Sequence, residues 1–174
     1  MMALSLMEII KNRRSIRAYS GEPVEQEKLE AVLEAARLAP SARNRQKWQF
    51  IVVTDKADPK IKAAMADACF NQPSVEQAPV CIAVVDEEPG MMTCGQPVDA
   101  IDASIALSFL LLKAEEEGLG TCWLGYFDAA KVKAALGIPE NMSVVAVTPL
   151  GYPAESPGAR PRKPLGEIVR YDKY

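Results

Sequence analysis

The chain is 174 residues long, carries twenty Lys and Arg against twenty-three Asp and Glu for a net charge of −3, and has no histidine. That length is most simply one domain over 1–174, large enough to bury about 70% of the unfolded chain's accessible surface without staples. Without histidine, Ser-His-Asp and Cys-His mechanisms and His-bearing metal sites are excluded, and the faintly acidic balance does not suit a nucleic-acid surface.

Leu6, Ile9 and Ile10 predict a short amphipathic first helix that ends at an arginine cluster. After Pro23, an acidic opening (Glu25, Glu27) leads into Leu29, Val32, Leu33 and Ala36 at helical spacing, and Pro40 marks the stop. Residues 41–47 are polar and irregular, hence a loop. The run 48–54 (WQFIVVT) reads as a buried strand, 59–69 as a weaker helix, and 80–85 as a second strand introduced by Pro79. Residues 97–117 predict the longest helix, apolar nearly all round through Val98, Ile101, Ile105, Leu107 and residues 109–112. Such a helix must be covered on most sides, more easily by two subunits than by one. A third strand is expected over 121–127 (TCWLGYF), a helix over 129–136, and a fourth strand over 143–150. The tail from 151 is proline-rich and expected to run extended over the surface. Apolar strands separated by helices make an α/β or α+β sandwich, its central sheet covered on both faces.

Cationic residues concentrate at the two ends. Arg13-Arg14-Ser15-Ile16-Arg17 lies near one, and Arg160-Pro161-Arg162-Lys163 near the other. Residues 18–154 between these end segments hold eleven basic and nineteen acidic side chains. If the ends meet in the fold, their guanidinium forks make one local anion site. The alternative is that Arg13 and Arg14 cap the last turn of the first helix. Cysteines 69, 81, 94 and 122 are scattered without a CxxC pair, so no metal site is expected, and reduced thiols in a cytoplasmic protein are. The first 30 residues lack a secretion-signal pattern, and the longest apolar run, 105–112, is too short to span a bilayer.

Four motifs, RRSIR (13–17), APSARNRQKW (39–48), GLGTCWLG (118–125) and PRKPLGEIV (161–169), together resemble the FMN-dependent nitroreductase family, specifically its small single-domain members. They span nearly the whole chain. The resemblance implies an α+β fold with a central mixed sheet of about four to five strands, in a domain-swapped homodimer with two FMN molecules at the subunit interface. It implies a phosphate site from Arg13, Arg14, Ser15, Arg160 and Arg162, with Arg17 toward the pyrimidine edge of the flavin. Pro40, Ser41 and Asn44 would come from the partner subunit to cover ring and ribityl chain. Lys47 stands where this motif usually has proline. Leu124 and Gly125 would present backbone amides to the N5 region, and Gln72 an amide side chain. The function implied is ping-pong hydride transfer from NADH or NADPH, through flavin N5, to a nitroaromatic, quinone or similar acceptor. No catalytic acid is named. No nucleic-acid or membrane partner is implied. The same residues would also serve a protein that stores, senses or delivers FMN without turnover.

Overall fold

The computed structural model describes residues 4–174. In chain order its elements are α1 (Leu6–Asn12), α2 (Gln26–Arg37), β1 (Trp48–Val53), α3 (Pro59–Ala68), α4 (Pro73–Gln77), β2 (Val80–Asp86), α5 (Val98–Glu116), β3 (Gly120–Thr121), α6 (Ala129–Leu136), β4 (Ser143–Gly151) and α7 (Leu165–Ile168). Local chemistry sets several boundaries. Ser5 opens α1 with a capping box: its hydroxyl accepts the Glu8 N–H while the Glu8 carboxylate accepts the Ser5 N–H. Asp58 and Asp128 cap α3 and α6 more simply, their carboxylates accepting first-turn N–H groups, and α6 ends at Gly137 in the left-handed region at φ 66°.

The strands form one sheet in the order β1-β2-β4-β3, antiparallel at every pairing. Its parallel contribution is a single bridge between Ser15 and Thr121. Every residue of β2 is buried, because successive side chains alternate between two cores. Val80, Ile82 and Val84 face α2 and α5, packing with Leu29, Val32, Leu107 and Leu110. Cys81, Ala83 and Val85 face α3 and α6, packing with Met65, Ala68 and Val132. The sheet is thus covered on both faces, as the sandwich reading expects. Among the described residues no helix is long and apolar enough to cross a membrane.

Two expectations are corrected and one element is added. Of the strand expected over 121–127, only Thr121 is laddered, with Gly120 before it; the chain then leaves the edge and returns for one bridge between Leu124 and Val147. Its aromatic composition suits a half-buried pleated surface, yet Trp123 and Tyr126 stand outside the ladder and exposed. The tail is extended except for one helical turn, α7. Helix α4, five residues opening at Pro73, is too short to leave a periodic trace.

Helix α5 is not enclosed. Ala103, Ala106, Leu107 and Leu110 are fully buried, but Phe109 is 41% exposed. With Leu112 it lines an apolar cleft of about 480 Å³ whose other wall is Leu4, Leu6, Ile9 and Ile10.

Cys69, Cys81 and Cys122 are buried and Cys94 is exposed, all four as free thiols. Burial pushes the Cys69 thiol up to about 11 and raises Cys81 and Cys122 as well. Since the thiolate is the reactive form, a thiol reagent at neutral pH should label Cys94 alone in the native protein. The other three should react after denaturation, and mass spectrometry of labelled peptides checks the order.

Candidate functional site

The site begins where α1 ends. The Arg13 N–H donates to the Ile9 carbonyl at 3.0 Å, and the chain then turns extended. The Ile16 N–H donates to Thr121 O at 2.8 Å, so the first cationic run is stitched to β3. Gly120 makes this approach possible, since a Cβ there would lie 2.8 Å from Ile16 Cγ1. Beneath them the buried Tyr19 hydroxyl donates to Ile16 O at 2.8 Å, and burial holds that phenol far above its ordinary range.

The other end of the chain is brought back by the same segment. Beyond β4, the Ser20 N–H donates to Tyr152 O at 3.0 Å, the Ala154 N–H donates to Ala18 O at 2.9 Å, and Tyr19 bridges to Pro153. Residues 157–162 therefore pass beside residues 10–17, and a cavity of about 530 Å³ opens between the two stretches. Six cations line it: Lys11, Arg13, Arg14, Arg17, Arg160 and Arg162, together with Ser15. Among the described residues none of the six forms an ion pair. Two carboxylates stand nearby. Glu155 accepts the Arg17 backbone N–H, and Glu115 is raised by burial against the opposing pull of Arg13 and Arg14.

Arg14 settles between the helix-cap and anion readings by serving the first with one nitrogen. Its Nη1 donates to the carbonyls of Lys11, Asn12 and Arg13 at 2.6, 2.9 and 3.0 Å, closing the end of α1. Its Nε is buried without a partner among the described residues, a donor left for something else. Lys11 belongs to the cavity although its sequence context hid it. Its signal was helical spacing, which puts it in the last turn of α1 beside Arg13 and Arg14.

A second patch continues from β3. Leu124 exchanges two backbone hydrogen bonds with Val147, at 2.9 and 3.2 Å, leaving Leu124 buried and Gly125 exposed. The Gln72 side-chain amide donates to Tyr126 O at 2.8 Å and to Cys69 O at 3.0 Å, clasping the turn after α3 to residue 126. Phe70 and Asn71 in that turn have φ of 55° and 52°, and Phe70 stacks on Tyr126 with ring centroids 4.4 Å apart. Gln72, Leu124 and Gly125 are thus gathered together, on a segment continuous with the strand that Ser15 joins.

Pro40, Ser41 and Asn44 are not brought to the cation cavity. Their loop, with a 3-10 turn over Ala42–Asn44, instead borders two other clefts. Ala42, Arg43 and Arg45 face Met91, Met92 and Cys94 across about 440 Å³, and Gln46 adjoins Trp48 and α2 across about 800 Å³. Arg43, Asn44 and Gln46 all have positive φ (54°, 56° and 51°), each costing roughly 1 kcal/mol for a side-chain-bearing residue. Three contacts hold that shape, one within the loop and two to its surroundings. The Gln46 N–H donates to Ser41 Oγ at 3.0 Å, Arg45 pairs with Glu88, and the Ala42 N–H donates to both carboxylate oxygens of Asp102 at 3.1 and 3.0 Å. Asp102 was missed by sequence reasoning. A carboxylate one turn after Asp99, next to Ala103 on the most apolar helix, was the signal.

Known proteins resemble this chain in sequence and fold. The model of the Nitroreductase family matches residues 10–80 and 62–152. A Thermus thermophilus protein named NADH dehydrogenase is 37% identical, over 90% of this chain and 91% of its own. An FMN reductase [NAD(P)H] from Bacillus subtilis is 31% identical, over 96% of this chain and 74% of its own. The crystal structure of a nitroreductase family protein from Clostridium novyi superposes with a TM-score of 0.81 at 36% identity, covering 88% of this chain and 87% of that one. Matched along most of its length in both sequence and fold, the chain belongs to the nitroreductase family.

Proposed function

We propose that this protein is an FMN-dependent oxidoreductase that passes a hydride from NADH or NADPH to an electron-poor acceptor such as a nitroaromatic or quinone, in a ping-pong cycle, as a cytoplasmic homodimer. The observation that carries the reading is the cavity of six cations with no carboxylate paired to any of them. Cations left unpaired around one small space suit a phosphate-bearing ligand, and the orphaned Arg14 Nε supplies a further donor. The relative named FMN reductase supports the flavin, and the NAD(P)H in its name supports the donor. Four free thiols fit a reducing compartment.

When bound, FMN would supply the redox chemistry at its ring nitrogen. The chain's own part is binding and electrostatics. Arg13, Arg14, Ser15, Arg160 and Arg162 would hold the phosphate, and Arg17 would set a fixed positive charge toward the pyrimidine edge, favouring the anionic reduced form. Gly125 would offer its backbone amide to the ring, the Leu124 N–H being committed to Val147, while Gln72, whose NH₂ is spent on the turn, retains its carbonyl as an acceptor. Pro40, Ser41 and Asn44, remote from the cation cavity in their own chain, would cover the cofactor held by a second subunit. The open apolar cleft along α1 and α5 is the surface such a subunit would close.

The test is to purify the protein, measure flavin absorption, and add NADPH or NADH anaerobically before an acceptor panel. Bleaching by a nicotinamide and recovery with acceptor support the assignment. A colourless protein that takes up no FMN overturns it, and tight FMN binding without nicotinamide oxidation makes the protein a flavin carrier instead.

A further inference from the structure

Asp102 sits on α5 at 6% exposure, a carboxylate amid Ala103, Ala106 and Leu107. Burying a carboxylate is unfavourable unless hydrogen bonds replace its water. Its hydrogen-bond donor among the described residues is the Ala42 N–H, taken by both oxygens. The charged groups around it do not account for its place. Asp86 on β2 and Asp99 one turn earlier on α5 are like charges, with Asp86 accepting the Glu88 N–H and Asp99 the Ser143 hydroxyl. Arg45, the cation whose field reaches it, is committed to Glu88. The carboxylate therefore acts on one thing, the backbone of a loop that carries three left-handed residues within four positions.

We propose that Asp102 is a positioning residue for the cofactor-covering loop: by gripping the Ala42 amide it holds Ser41 and Asn44 in the one arrangement that can close over the flavin. The inference rests on the proposed role of that loop. Releasing the grip lets residues 41–46 relax toward ordinary backbone angles, which withdraws Ser41 and Asn44 together. The rest of the chain keeps its fold, because β1, β2 and both cores are independent of the contact.

The experiment uses the full chain with Asp102→Asn and Asp102→Ala. Amide hydrogen exchange of residues 41–46 is measured in the flavin-free protein, FMN affinity by quenching of flavin fluorescence, and Tm by calorimetry. Exchange at 41–46 is expected to accelerate in both variants, with exchange in β2 and β4 unchanged. FMN affinity should fall about tenfold in Asp102→Ala, equivalent to about 1.4 kcal/mol, and by less in Asp102→Asn, whose carbonyl still accepts one hydrogen bond. Unchanged exchange at 41–46 overturns the proposal, whatever happens to Tm, and so does wild-type FMN affinity in both variants. If the wild-type protein takes up no FMN, the functional reading fails, while faster exchange at 41–46 still supports the grip of Asp102 on the loop.

Discussion

Replacing Arg13 and Arg160 together by alanine should weaken FMN binding by on the order of hundredfold or more while leaving the flavin-free fold intact. Each contributes a guanidinium to the same cavity, from segments at opposite ends of the chain. A hydrogen bond to a charged group contributes roughly 1.5–3 kcal/mol, about ten- to a hundredfold per arginine in affinity. Neither is ion-paired among the described residues, so removing them relieves repulsion among the remaining cations. The Tm of the flavin-free protein should therefore hold or rise. Riboflavin, which lacks the phosphate, separates this account from general damage. Its affinity should be nearly the same for wild type and double variant, and an equal loss for both ligands would place these arginines elsewhere. Arg14→Ala should behave differently, lowering Tm as well, because it also uncaps α1 at three carbonyls.

Gly120→Ala is expected to lower stability and flavin affinity in one stroke. Three side-chain atoms of Ile16 lie 2.8 to 2.9 Å from where the new methyl would stand. Ile16 is buried and β-branched, so its side chain has little freedom to swing aside. Relief must come from separating residues 15–16 from β3, which breaks the Ile16 N–H bond to Thr121. Overpacking of this kind costs typically 1–3 kcal/mol, and at this chain length each kcal/mol lowers Tm by about 2–4 °C. Because the displaced strand carries Arg13, Ser15 and Arg17, FMN affinity should drop even at temperatures where the protein stays folded. Gly125→Ala is the control. Nothing lies within 4 Å of its added Cβ, so Tm should stay put. Equal melting of the Gly120→Ala variant and wild type would show that the close approach is not structural.

The strands β1, β2 and β4 were legible almost residue for residue from their β-branched runs, but only β2 is buried throughout. β1, expected as a buried strand, lies at the sheet edge with Gln49 exposed and Phe50 to Val52 half-buried. Helices α5 and α6 were equally plain, expected over 97–117 and 129–136 and found at Val98–Glu116 and Ala129–Leu136. The edge strand β3 was not. β4 continues beside residues 122–124 in the same register, but Pro149 opposite Cys122 has no N–H to donate, and the composition of 122–127 does not encode its partner. In the site, charge raised the meeting of the two ends as one of two readings and did not choose it over helix capping. The stitch that causes it could not be read, since Ser20 and Tyr152 are ordinary residues joined through backbone atoms. Asp102 escaped notice because its partner is an amide sixty residues away, chosen by packing and not by any side-chain motif.

The arm beyond Ala154 has a further implication. From Glu155 to Tyr174 the only residues not exposed are Pro157 and Val169, so this stretch contributes nothing to either core, yet two of the six cations stand on it. On this arm, grip on a ligand is written apart from resistance to unfolding, whereas residues 13–17 carry both. Mutations accumulating on the arm can retune what is held, and how tightly, without passing through the thermodynamic filter that guards the interior.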